Sequence, residues 1–199
     1  MKTDNLFNKL FVLIAVIFFG CESDDPVKED APEMITRVVL TFTPASGPIV
    51  VGIAIDPDGE GVQDLVTDGP VKLAPGVTYD LGIDMQNTLV MPNEEGYDIT
   101  AEVEEEGDEH MFFFGWTGSL FSNPTGNGNI DSRTDPVNYN DEDMNNLPVG
   151  LSTSWTTATT GATGKLKILL KHQPDLKSAT STSDMGESDL DVEFDVIVE

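Results

Sequence analysis

The segment ESDLDVEFDVIVE (187–199) constrains the fold more than any other stretch. Leu190, Val192, Phe194, Val196 and Val198 share one phase, and Asp191, Glu193, Asp195 and Ile197 share the other. A period of two describes a strand with one buried and one wetted face. APGVTYDLGIDM (74–85) repeats the pattern, with Val77, Tyr79, Leu81, Ile83 and Met85 set against Thr78, Asp80, Gly82 and Asp84. ITRVVLTFT (35–43), PIVVGIAID (48–56) and KLKILLKH (165–172) are also strand-like and rich in β-branched or aliphatic residues. HMFFFGW (110–116) is apolar in both phases and predicts a central strand buried on both sides. STSWTTATTGATG (152–164) suits either a polar edge strand or a loop.

Turn chemistry separates these runs. DPDGEG (56–61), SNPTGNGN (122–129) and NYNDEDMNNLPVG (138–150) concentrate Gly, Pro, Asn and Asp. One helical candidate follows Tyr97, with Asp98 as N-cap, Ile99 and Val103 four apart, and Gly107 at the end. It is poor by itself, because Glu102 repels Glu106 and three glutamates crowd the negative end of the dipole. Packing or a cation from outside must hold it. The expected fold is all-β: a single antiparallel β-sandwich, immunoglobulin-like or related, with one short helix near 99–106.

The N-terminus predicts an address. Lys2 and Lys9 precede an apolar run from Leu10 to Phe19, then Gly20 and Cys21. Ten apolar residues are too few for a bilayer core, which needs roughly 20 helical residues. The pattern is that of a secretory signal peptide over 1–20, and the small residue before Cys21 resembles a lipobox, with Cys21 the lipidated residue. Residues 21–34 form an acidic, proline-containing flexible tether, and 35–199 the β-sandwich. Cys21 is the only cysteine, which excludes a disulfide scaffold and a thiol nucleophile.

The chain carries 10 basic and 36 acidic residues; removing Lys2, Lys9 and Asp4 with the signal leaves 8 against 35, or −27. Nucleic acid is excluded as a partner, since phosphate binding needs clustered Lys and Arg. No nucleophile elbow, phosphate loop or paired basic cluster points to an enzyme.

The two histidines, His110 and His172, each extend an apolar face of a strand-like run. His110 shares the phase of Phe112, Phe114 and Trp116, and His172 that of Leu166, Ile168 and Leu170. If the two strands are antiparallel neighbours, both rings reach one rim of the core beside Asp108 and Glu109. Two imidazoles with carboxylates suit Zn²⁺ or Cu²⁺. The bland alternative is a pair of structural histidines bonded to neighbouring carboxylates.

Two acidic loops have partial calcium spacing. Asp56, Asp58, Glu60 and Asp64 stand at positions 1, 3, 5 and 9 with Gly61 at 6, but Thr67 takes the place of the bidentate glutamate. Asp141, Asp143 and Asn145 repeat the 1, 3, 5 spacing. Ordinary turn chemistry accounts for both more simply.

EEEGDEHMFFF, DEDMNNLPVGL and KHQPD, together with the lipobox, resemble a family of small Bacteroidetes outer-membrane lipoproteins, although Asn146 stands where that family has glycine. The acidic residues behind Cys21 resemble the surface-export signal of such proteins. The resemblance implies a lipid-anchored, cell-surface-facing β domain beside an outer-membrane transporter, and no catalytic residues. The expected function is therefore noncatalytic binding at the outer membrane, in its specific form capture of a transition metal for uptake. The alternative is a structural or adhesive β domain with calcium-stabilised or metal-free acidic loops.

Overall fold

The computed structural model describes residues 33–59 and 65–199. The signal peptide, Cys21, most of the tether, Glu60 and Asp64 lie outside the described residues. Among the described residues, ten strands form two packed sheets with one short helix, an all-β sandwich. The strands are β1 (Arg37–Pro44), β2 (Val50–Ile55), β3 (Val66–Thr67), β4 (Val71–Leu73), β5 (Thr78–Gln86), β6 (His110–Trp116), β7 (Phe121–Asn123), β8 (Ser152–Thr157), β9 (Ala162–His172) and β10 (Glu187–Val198). The larger sheet runs β3-β2-β1-β5-β8-β7, and the smaller β4-β10-β9-β6. Neighbours are antiparallel except β10 and the three-residue β4, which run parallel.

The alternating phases meet in the middle. Val38, Leu40 and Phe42 of β1 and Tyr79, Leu81, Ile83 and Met85 of β5 face Leu166, Ile168 and Leu170 of β9 and Val192, Phe194, Val196 and Val198 of β10 across one core. Trp155 of β8 is fully buried there, its ring centroid 5.1 Å from Trp116, 5.5 Å from Phe114 and 4.7 Å from Phe121. The Ser/Thr-rich segment is thus a paired strand inside the larger sheet, because every second residue, Thr153, Trp155 and Thr157, is buried.

β6 departs from expectation in an instructive way. It is buried on both faces, yet it is an edge strand and not a central one. The segment 127–150 makes the difference. It covers the outer face, where Ile130 and Tyr139 pack on Met111, Phe113 and Leu169. It also closes the free edge: Phe112 N–H donates to Val149 O at 2.7 Å, Phe114 N–H to Asn129 Oδ1 at 2.9 Å, and Trp116 N–H to Asn127 O at 3.0 Å. Tyr139 donates its hydroxyl to Phe112 O at 2.6 Å and accepts from Asn129 Nδ2 at 2.8 Å. Burial pushes the Tyr139 phenol well above its ordinary range, so it remains a donor. Gly128, at φ 93°, lies so close to β6 that a Cβ there would sit 2.0 Å from Phe114 O. An edge covered in this way offers no free ladder to another chain.

The helix α1 (Ile99–Glu105) forms where the spacing predicts it, with Asp98 Oδ1 accepting from Ala101 N–H at 3.1 Å. Packing holds it: Ile99 and Val103 are buried, and Thr100 Oγ1 accepts from Met85 N–H and donates to Met85 O at the end of β5.

Candidate metal centre

His110 opens β6 and His172 closes β9, and the two are directly paired in the antiparallel ladder. Cross-strand partners share a face, so the rings meet at one rim of the core. They stack, with centroids 4.7 Å apart and planes 14° from parallel. Imidazole lone pairs lie in the ring plane, so near-parallel stacked rings direct them side by side. A zinc–nitrogen bond is about 2 Å long, so this pair does not converge on one ion. His172 turns outward, with Nε2 3.3 Å from Glu109 Oε2. Asp108 lies exposed in the turn before β6. The set His110, His172, Asp108 and Glu109 therefore does not close on a common point, and stacking is the reason.

His110 turns the other way, into a different set of acids. One of its ring nitrogens and a carboxylate oxygen from each of Glu33 and Glu106 all lie within 4.8 Å of one another; among the described residues no other such group of three forms. Glu33 comes from the approach to β1 and Glu106 from the end of α1. Asp189 completes the surroundings from β10, its Oδ2 3.4 Å from His110 Nε2 and its Oδ1 accepting from Glu33 N–H at 3.3 Å. His110 is 0% and Asp189 3% exposed, while Glu33 and Glu106 are half-buried and form the outer side.

Hydrogen-bond chemistry makes this cluster incomplete. His110 Nδ1 lies 3.1 Å from Glu106 O. A carbonyl oxygen can only accept, so that partner assigns the proton to Nδ1. In a neutral ring Nε2 is then a bare acceptor facing another acceptor, Asp189 Oδ2. The 3.4 Å contact is off the hydrogen-bonding line, and both buried atoms have no hydrogen-bond partner. Buried polar atoms in this state are rare and costly. A cation between them, either a proton or a metal ion, turns repulsion into attraction. Crowding acts on Glu33 too: burial, then the charge and hydrogen bond of Glu102 and the charge of Asp189, raise its carboxyl above the usual range, against the pull of His110.

Asp189 was hidden from sequence alternation. Counting back by two from Val192 and Leu190 places it with Asp191 and Glu193 on the wetted face. The ladder shifts register between Ser188, opposite Lys171, and Leu190, opposite Leu170. Asp189 is the extra residue of that bulge and is re-aimed inward. Glu33 was assigned to the tether, and Glu106 carried a signal only as one of the glutamates crowding a helix end.

The acidic loops behave differently. Asp143 Oδ1 accepts from Asn145 N–H at 2.8 Å and Leu147 N–H at 2.9 Å, and Oδ2 is 2.9 Å from Lys177 Nζ in a pair whose side chains are each 1% exposed. Lys177 also donates to Gly107 O at 2.6 Å. Asp141 accepts from Gly150 and Ser152 N–H through its two oxygens. With those oxygens engaged and a lysine ammonium in place, Asp141, Asp143 and Asn145 form a turn hub and not a calcium cage. Asp56 Oδ1 likewise accepts from Asp58 and Gly59 N–H, each at 3.1 Å, while Asp58 is exposed.

The fold and the site together define a β-sandwich domain with a buried histidine set among carboxylates. No protein-family model, curated protein or solved structure matches this chain.

Proposed function

We propose that this chain is a noncatalytic, lipid-anchored binding protein of the outer membrane whose ligand is a divalent transition metal held at His110. The observation that carries the reading is the buried confrontation of His110 Nε2 with Asp189 Oδ2, bordered by the carboxylates of Glu33 and Glu106. One imidazole with several carboxylates suits zinc and other first-row divalent ions, and the half-buried glutamates give an ion a way in. Anchoring rests on Lys2, Lys9, the apolar run and Cys21; among the described residues no helix is long and apolar enough to cross a membrane. The resemblance to Bacteroidetes lipoproteins supports a surface-facing domain that delivers the ion to an outer-membrane transporter.

A structural or adhesive domain is the second reading, because a proton alone also reconciles Nε2 with Asp189. Calorimetric titration of zinc and copper into the mature chain with Cys21→Ser, beside the same chain carrying His110→Ala, separates the two. Tight one-to-one binding lost in the variant is the expected result. Equal, weak heats in both proteins would leave His110 with a proton and a structural role.

A further inference from the structure

The described cluster draws its parts from four places in the fold: the approach to β1, the end of α1, the start of β6 and the bulge of β10. Three of these belong to elements fixed by packing. His110 is paired in the ladder, Asp189 is buried beneath it, and Glu106 follows a helix whose Ile99 and Val103 are in the core. Glu33 is the exception. Among the described residues, main-chain bonding to the larger sheet begins at Thr36, whose N–H donates to Gln86 O at 3.0 Å, and Ile35 is the first core residue. Upstream of both, Glu33 is held by its N–H to Asp189 Oδ1 at 3.3 Å, and Met34 beside it is 47% exposed.

Resting on the metal reading above, we propose that Glu33 is the closing ligand of the site, so that a bound ion staples the N-terminal approach of the domain onto α1, β6 and β10. An ion at His110 Nε2 draws the Glu33 carboxylate in beside that of Glu106. Asp189 does two things: one oxygen holds the Glu33 main chain and the other faces the metal-binding nitrogen across the ion. The ligand class is a divalent first-row ion with oxygen-rich coordination. The donors the cluster shows are one imidazole and carboxylates, which favour such an ion over a soft one such as Cu(I).

The placement has a consequence for the partner. Glu33 is twelve residues after Cys21, a distance the chain spans in at most about 40 Å. On the lipid-anchored reading the site is tethered within that length of the membrane, where a membrane-embedded acceptor can take the ion by displacing one carboxylate.

Hydrogen–deuterium exchange on the mature chain, with and without saturating zinc, tests this beside calorimetry of Glu33→Gln and His172→Ala. Zinc is expected to slow exchange in peptides covering 33–36. Glu33→Gln is expected to lose that protection and weaken zinc by about tenfold or more, while His172→Ala keeps both. Wild-type binding of zinc with unchanged exchange at 33–36, or with Glu33→Gln binding as wild type does, overturns the staple and leaves the metal reading standing. No zinc binding by the wild type removes both.

Discussion

Two acidic clusters lie in this domain, and the same residue type does opposite things in them. Around Asp143, the chain supplies its own cation: Lys177 enters the loop, and main-chain N–H groups take the remaining oxygen. Around His110, three carboxylates gather where the ring presents an acceptor, and two buried atoms are without hydrogen bonds. In the first, Asp143 Oδ2 also makes no hydrogen bond, but the Lys177 ammonium 2.9 Å away neutralises it. In the second, His110 Nε2 and Asp189 Oδ2 face each other, and a cation between them turns repulsion into attraction. Net charge of −26 says nothing about which is which; the distinction is in the partners of individual oxygens.

The largest expected effect is at the closed cluster. Lys177→Ala leaves Asp143 buried without its partner and should cost about 3–5 kcal/mol in chemical denaturation, with or without zinc. An unchanged midpoint would break the contrast, since Lys177 would then not be what completes that loop. The acid limb follows from the same pair. Burial opposes the Asp143 charge, but Lys177, Leu147 and Asn145 outweigh it and hold the carboxyl below the usual aspartate range. Its contribution is therefore complete above the unfolded value, near pH 4, and lost as pH falls through the lower folded one. Lys177 shifts the opposite way in stability: burial, its largest influence, lowers the ammonium despite Asp143, Asp141 and Asp108, a cost relieved only in alkali. Asp143→Asn should accordingly flatten the stability profile below about pH 4.

A smaller effect, of reversed sign, is expected at the open cluster. Asp189→Asn replaces an acceptor with a group that can donate to His110 Nε2, and should stabilise the metal-free protein by about 1 kcal/mol while weakening zinc. Thermal unfolding with and without zinc reads both. Loss of stability in the metal-free variant would mean that a proton already satisfies the pair. Smallest of all is calcium, which should leave the wild-type unfolding midpoint where it is, because Asp141 and Asp143 have their oxygens engaged. A calcium-dependent rise would blur the contrast by making the closed cluster a site as well.

The strands were legible because side-chain period follows directly from strand geometry. Tyr79, Leu81, Ile83 and Met85 are buried as alternation predicts, and so are Val192, Phe194, Val196 and Val198. The helix was legible through a cap and two apolar residues four apart. What escaped was set by contacts distant in sequence. β6 looked central because its Phe-rich run is buried twice over, but its outer cover is the 127–150 segment, whose asparagines look like loop chemistry until Asn129 is seen bonded to Phe114. The pairing of His110 with His172 could be stated as a condition, whereas stacking and the outward turn of His172 to Glu109 could not. Asp189 escaped notice because one bulge re-aims it, and a single inserted residue is enough to reverse a side chain.

Zinc-edge X-ray absorption on the zinc-loaded mature chain tests the central claim most directly. A single imidazole with the remaining first-shell ligands oxygen, at about 2.0–2.2 Å, is the predicted result, and that shell should disappear in His110→Ala. Two imidazoles around the metal, or a fully hydrated ion, would contradict it.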